Sequence, residues 1–165
     1  FRDIPREFVR YLGAADIRQP LPRWLAELAH YEWAELAVDV SDAPIPPCDP
    51  AGDLLEHPVV LNPALMNLAY AWPVQRIGPG YRPRQPQPTH LVVYRDADDR
   101  VRFSEVTPVT GRLLDLFASE TLSGRQAILR LAEELQHPDP GQWLGFGAAL
   151  LADLRQQGIL LGSQP

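Results

Sequence analysis

Residues 90–106 read His90-Leu91-Val92-Val93-Tyr94-Arg95, then Asp96-Ala97-Asp98-Asp99, then Arg100-Val101-Arg102-Phe103-Ser104-Glu105-Val106. The first run is rich in β-branched and aromatic residues, which fit a pleated, half-buried surface. The aspartates are turn residues. In the second run Val101, Phe103 and the apolar Val106 alternate with Arg102, Ser104 and Glu105. Strand, turn and strand predict a β-hairpin. Asp96, Asp98 and Asp99 also resemble half of a calcium loop, but the central glycine and the closing glutamate are missing. A turn accounts for them better.

Downstream the rhythm becomes helical. Thr107 is placed to cap a helix with Pro108 at its first position, and Leu113, Leu114 and Phe117 form the buried face. Ser123 caps a second helix with Ile128, Leu129, Leu131, Ala132 and Leu135 inside. Pro138 to Pro140 breaks it. A final helix over about 141–157 carries Trp143, Leu144, Phe146, Ala149, Leu150 and Leu154, and Gly158 ends it. Ile159-Leu160-Leu161 reads as a closing strand. A hairpin, three helices and a returning strand predict a winged-helix-like domain over 89–165.

Upstream, prolines punctuate the chain. Eighteen of 165 residues are proline, about twice the usual share. Pro44, Pro46, Pro47, Pro50 and Pro58 form one cluster; Pro79, Pro83, Pro86 and Pro88 form another. Residues 58–88 are therefore expected to be an extended, proline-rich connection. Pro58–Leu61 suits a short strand, Asn62-Pro63 looks like a helix cap and first turn, and Ala64–Tyr70 reads equally as strand or helix. Residues 1–57 are expected to be the remainder of a helical domain whose upstream part is missing. There Ile4, Phe8, Tyr11 and Leu12 recur at helical spacing as far as Gly13, and Trp24, Leu25, Leu28, Tyr31 and Leu36 give a wide apolar face after Pro22. Glu27, Glu32, Glu35 and Asp39 are assigned to the wet side, and His30 to the surface. The fold class is α+β.

Composition narrows the function. The net charge is −6, with 15 Arg and no Lys, which disfavours a protein whose main work is gripping phosphates. No stretch approaches a membrane span, so no membrane partner and a cytoplasmic setting are expected. One cysteine, Cys48, excludes an internal disulfide framework and a multi-thiolate zinc site. Without a nearby basic residue to lower its pKa, Cys48 is a poor nucleophile. His30, His57, His90 and His137 are widely spaced, and no nucleophile elbow, zinc-protease motif or phosphate loop is present. No catalytic residue, metal ligand or cofactor is assigned.

The winged-helix plan leaves two binding readings. In DNA binding, the helix after Ser123 would project Arg125, Gln126 and Arg130, but Glu133 and Glu134 oppose them, and six arginines from Arg76 to Arg102 would form a basic patch against three aspartates. In peptide capture, a strand is added to an exposed sheet edge through backbone hydrogen bonds. The hairpin strand 101–106 beside the final helix is the expected groove, with Arg102, Phe103 and Glu105 on the strand and Leu150, Asp153 and Leu154 on the helix. The Arg102 N–H is expected to be among the donors.

Several motifs carry a family resemblance. Ile4-Pro5-Arg6-Glu7-Phe8-Val9-Arg10-Tyr11-Leu12, Leu21-Pro22, Leu25 to Ala29 and Tyr31-Glu32-Trp33 are joined by Leu61-Asn62-Pro63 and Trp72-Pro73-Val74-Gln75-Arg76-Ile77. The hairpin, Val109-Thr110 and Arg112-Leu113-Leu114 complete the set. Together they resemble the HvfC-type and methanobactin-pathway partner proteins, bacterial proteins long labelled DNA-binding. The resemblance implies a non-catalytic adaptor of ribosomal-peptide maturation. Its implied partners are an iron-dependent barrel oxidase of the same gene cluster and a precursor peptide; DNA is the disfavoured alternative.

Overall fold

The computed structural model describes residues 3–14, 21–137 and 139–165. Helices α1 (Asp3–Ala14) and α2 (Leu25–Asp39) come first, followed by strands β1 (Val59–Leu61) and β2 (Leu65–Tyr70) and a short 3₁₀ turn at Val74–Arg76. The hairpin follows as β3 (Thr89–Arg95) and β4 (Val101–Val106). Helices α3 (Pro108–Ser119), α4 (Gly124–Glu134) and α5 (Pro140–Gln157) lead to β5 (Leu160–Ser163). The class is α+β, as expected. No described helix is long and apolar enough to cross a membrane.

Local chemistry sets the element ends. The Thr107 hydroxyl accepts the Thr110 N–H at 3.1 Å, and Ser123 forms a reciprocal capping box with Gln126. Asp139 caps α5. Gly158, at φ 83°, closes α5 in the left-handed region that glycine enters without steric cost. In the hairpin turn the Asp96 carboxylate accepts the N–H groups of Asp98 and Arg100. The expected break at Pro138 lies outside the described residues.

Two sheets form, and both draw on the stretch expected to be a connection. Strand β2 pairs antiparallel with β3, giving the order β2-β3-β4, and β1 pairs antiparallel with β5. The connection is therefore corrected: residues 58–88 supply a strand to each sheet, and the closing strand returns to β1, not to the hairpin. Ala64–Tyr70 resolves as strand because β3 offers it a full ladder of backbone partners, which periodicity alone does not reveal.

The three-stranded sheet is covered on both faces. Val92 and Tyr94 face the main core with Leu113, Leu116, Ile128, Leu151 and Leu154. Leu91 faces the other way with Tyr70, Trp72 and Val74, under Trp24, Leu28 and Tyr31. Strand β3 is thus central and apolar on both sides. Several expected core residues lie outside: Phe8, Tyr11, Leu36, Leu135 and Phe146 are exposed, and so is Ala149. In α5 the reason is close packing. A Cβ on Gly147 would overlap the Ile128 side chain, so that position must face α4. Phe146, one residue and ~100° around the helix, is then turned out and is 73% exposed.

Asn62 is not a helix cap but a junction, 7% exposed. Its amide Nδ2 donates to the carbonyls of Arg95 and Gly158, each at 2.9 Å. Its Oδ1 accepts the Ala64 N–H at 2.9 Å, and its own N–H reaches the Ile159 carbonyl at 3.0 Å. Asn62→Ala leaves two carbonyls and one N–H without that partner, and is expected to cost about 3 kcal/mol in urea unfolding. A loss below about 1 kcal/mol would show that the three segments meet without it.

Candidate functional site

Strand β4 is an edge of its sheet. Its pairing to β3 matches Arg95 with Val101 and continues to His90 with Val106. Asp96 donates its N–H to the Arg100 carbonyl at 2.9 Å, and hydrogen-bonded pairs alternate along an antiparallel ladder. Arg102, Ser104 and Val106 therefore direct their backbone groups at β3. Val101, Phe103 and Glu105 direct theirs outward, and no backbone partner meets them among the described residues. The expectation for Arg102 is corrected: its N–H belongs to the ladder and is not a donor to an added strand.

The same alternation separates the predicted side chains. Arg102 and Ser104 share the face of Tyr94 and Val92, toward α5. The Ser104 hydroxyl donates to Gln157 Oε1 at 3.2 Å, and Gln157 Nε2 donates to Asp153 at 2.7 Å. Arg102 Nε meets Asp96 Oδ2 at 2.6 Å, and that guanidinium, with the N–H groups of Arg100 and Asp98, holds the Asp96 carboxyl below its usual range. Phe103 and Glu105 lie on the other face, toward α2. Leu154, 2% exposed, is part of the main core. Leu150 lines a separate apolar hollow of about 310 Å³ between α3, α4 and α5, with Trp143 and Phe146. The six predicted residues do not form one groove; Arg102 and Asp153 share the α5 side, and Phe103 and Glu105 the α2 side.

The α2 side carries the residues that sequence reading missed. Phe103 packs on Tyr31 with ring centroids 5.2 Å apart, and Tyr31 meets Tyr70 edge-on at 6.4 Å. The Tyr70 hydroxyl and His30 Nδ1 are 2.8 Å apart. Glu27, expected in solvent, accepts the N–H groups of Ala71 and Trp72 at 3.1 and 3.0 Å. One carboxylate thus satisfies two backbone donors past the end of β2 and pins α2 to the sheet. The spacing of Glu27, His30 and Tyr31 put them on one helical face, which was the available signal. At the same end of the sheet, Gln75 Nε2 donates to Glu105 Oε2 at 3.0 Å, and Arg76 lies 3.8 Å from Glu105.

The two α4 arginines of the DNA-binding reading are engaged with carboxylates, and Gln126 belongs to the Ser123 capping box. Arg125 pairs with Glu56. Arg130 pairs with Glu120 at 2.6 Å, and Arg112 with Glu134 at 2.7 Å. Glu56 comes from the loop before β1, a partner that helix periodicity does not reveal. Cys48 is half-buried, with Sγ 3.9 Å from the Leu161 carbonyl. Among the described residues no three His, Cys, Asp or Glu side chains come together as a ligand set.

Comparison with protein families finds a match to the HvfC C-terminal domain over residues 62–155. The matched segment starts at the Asn62 junction and ends within α5. No curated protein matches the chain.

Burial lowers the pKa of His30 below its ordinary value, and burial raises Tyr70, with Glu27 and Tyr31 adding to the shift. The folded chain therefore resists protonating His30, while the unfolded chain accepts a proton near pH 6.5. Its contribution to stability is present above that value and is lost as pH falls through it toward the folded pKa. Urea midpoints are expected to fall between pH 7.5 and 5.5, and to fall less in His30→Gln. An identical pH profile in the variant would remove His30 as the cause.

Proposed function

The chain belongs to the HvfC family, and on that footing we propose that it is a non-catalytic adaptor. It holds a ribosomally made precursor peptide for an iron-dependent barrel oxidase of the same gene cluster. The iron and the oxidation reside in the partner, and this chain contributes binding and orientation.

The observation that carries this reading is the free edge of β4. An extended peptide satisfies its own backbone groups by pairing with Val101, Phe103 and Glu105, whose hydrogen-bonding groups already point outward in register. Backbone pairing supplies affinity that is tolerant of sequence, which suits a carrier of a peptide that is modified elsewhere along its length. The neighbouring strand β3, buried on both faces, holds β4 in a fixed register, so little conformational entropy is lost on the protein side. The DNA-binding alternative is less well supported, because the cations of α4 are already paired with carboxylates.

The test is calorimetry with the precursor peptide encoded beside this chain. Proline is tolerated at an edge position whose N–H faces solvent. Glu105→Pro removes one such donor and is expected to weaken binding at least about fivefold, whereas Glu105→Ala stays within about twofold. Unchanged affinity in a folded Glu105→Pro protein would overturn the edge assignment. Sequence-selective, tight binding to a DNA duplex by the wild-type chain would favour the alternative.

A further inference from the structure

The residues of β4 whose backbone groups point outward also turn their side chains toward α2: Val101, Phe103 and Glu105 share that face. In an added strand, the residue paired with Phe103 projects its side chain onto the same face. It therefore lands beside Phe103, whose ring Tyr31 backs from the β3 side. Phe103 remains 40% exposed although its ring is already held by Tyr31 at 5.2 Å. A half-open, mutually packed aromatic pair next to unpaired backbone donors supplies apolar area for a partner side chain.

The surrounding charge is acidic. Glu32 and Glu35 are exposed on α2 and act on the Tyr31 hydroxyl, whose pKa is raised first by burial and then by these two carboxylates. The nearby cations are engaged: Arg76 faces Glu105, and Arg102 faces Asp96. On the opposite face an added strand meets Arg102, Ser104 and Gln157, a polar set.

We infer that Tyr31 and Phe103 select the added strand. They take an aliphatic or aromatic side chain from the peptide residue paired with Phe103, in a peptide with Lys or Arg close by. Helix α2, not α5, then sets specificity. This inference rests on the edge reading above and deepens it.

The experiment is a selection of random, displayed short peptides on the full chain. Winning peptides are then measured by calorimetry on the wild type and on Phe103→Ser, Phe103→Leu, Tyr31→Ala and Glu105→Pro, each checked for folding by its circular dichroism. The expected winners carry one large apolar residue with Lys or Arg within a few positions, and bind more weakly as salt rises. Phe103→Ser and Tyr31→Ala are expected to bind them at least about tenfold more weakly, while Phe103→Leu stays close to the wild type. If Glu105→Pro loses the winners but Phe103→Ser and Tyr31→Ala bind them normally, the aromatic pair is not the selector and the edge reading survives. If Glu105→Pro binds them as the wild type does, or no peptide is selected, the edge reading itself falls.

Discussion

The side chain of Asn62 joins three parts of the chain that are remote in sequence. Through one amide it bonds the end of β3, the turn that closes α5 and the start of β2. Asn62 is 7% exposed, and a buried backbone group that loses its partner costs free energy, so this one side chain stabilises all three segments. With the segments so joined, α5 and β5 return beside β1, and β2 lies in register on β3. The family match begins at this residue.

From that junction follows a sheet with one covered middle and two edges. Strand β3 is buried on both faces, against α3 to α5 on one side and α2 on the other. A strand covered in this way cannot shift by one residue without exchanging its two apolar sets. The ladder to β4 is therefore fixed in phase. That phase determines which β4 residues keep their hydrogen bonds inside the sheet and which present them outward. An open edge with a defined register is the consequence of burying its neighbour.

The placement of charge follows the same logic at the surface. Arginines that look available along α4 meet carboxylates from the loop before β1, from the end of α3 and from α4 itself. Exposed pairs of this kind add little to stability, yet they occupy the cations that α4 would offer to a phosphate backbone. Glu27 works in the opposite direction. Placed among exposed acids by the helical pattern, it fastens α2 to the backbone past β2, as Arg95 of β3 fastens the far end of α2 through the Asp39 and Ser41 carbonyls.

Local chemistry was legible in the chain without its partners. The hairpin, the caps at Thr107 and Ser123, the proline at the start of α3 and the glycine that ends α5 each depend on neighbours a few residues away, so spacing and residue type were enough to find them. The α+β class and the family motifs were legible for the same reason. The candidate site was only half legible: the strand 101–106 was found, but not which of its residues face outward, nor that Leu154 belongs to the core. The strand identity of 65–70, the return of β5 to β1, the tie made by Asn62 and the meeting of Tyr31 with Phe103 were decided by tertiary structure alone. Each joins residues far apart in sequence, and a periodicity of two or 3.6 residues records which face a side chain takes, not what it meets there.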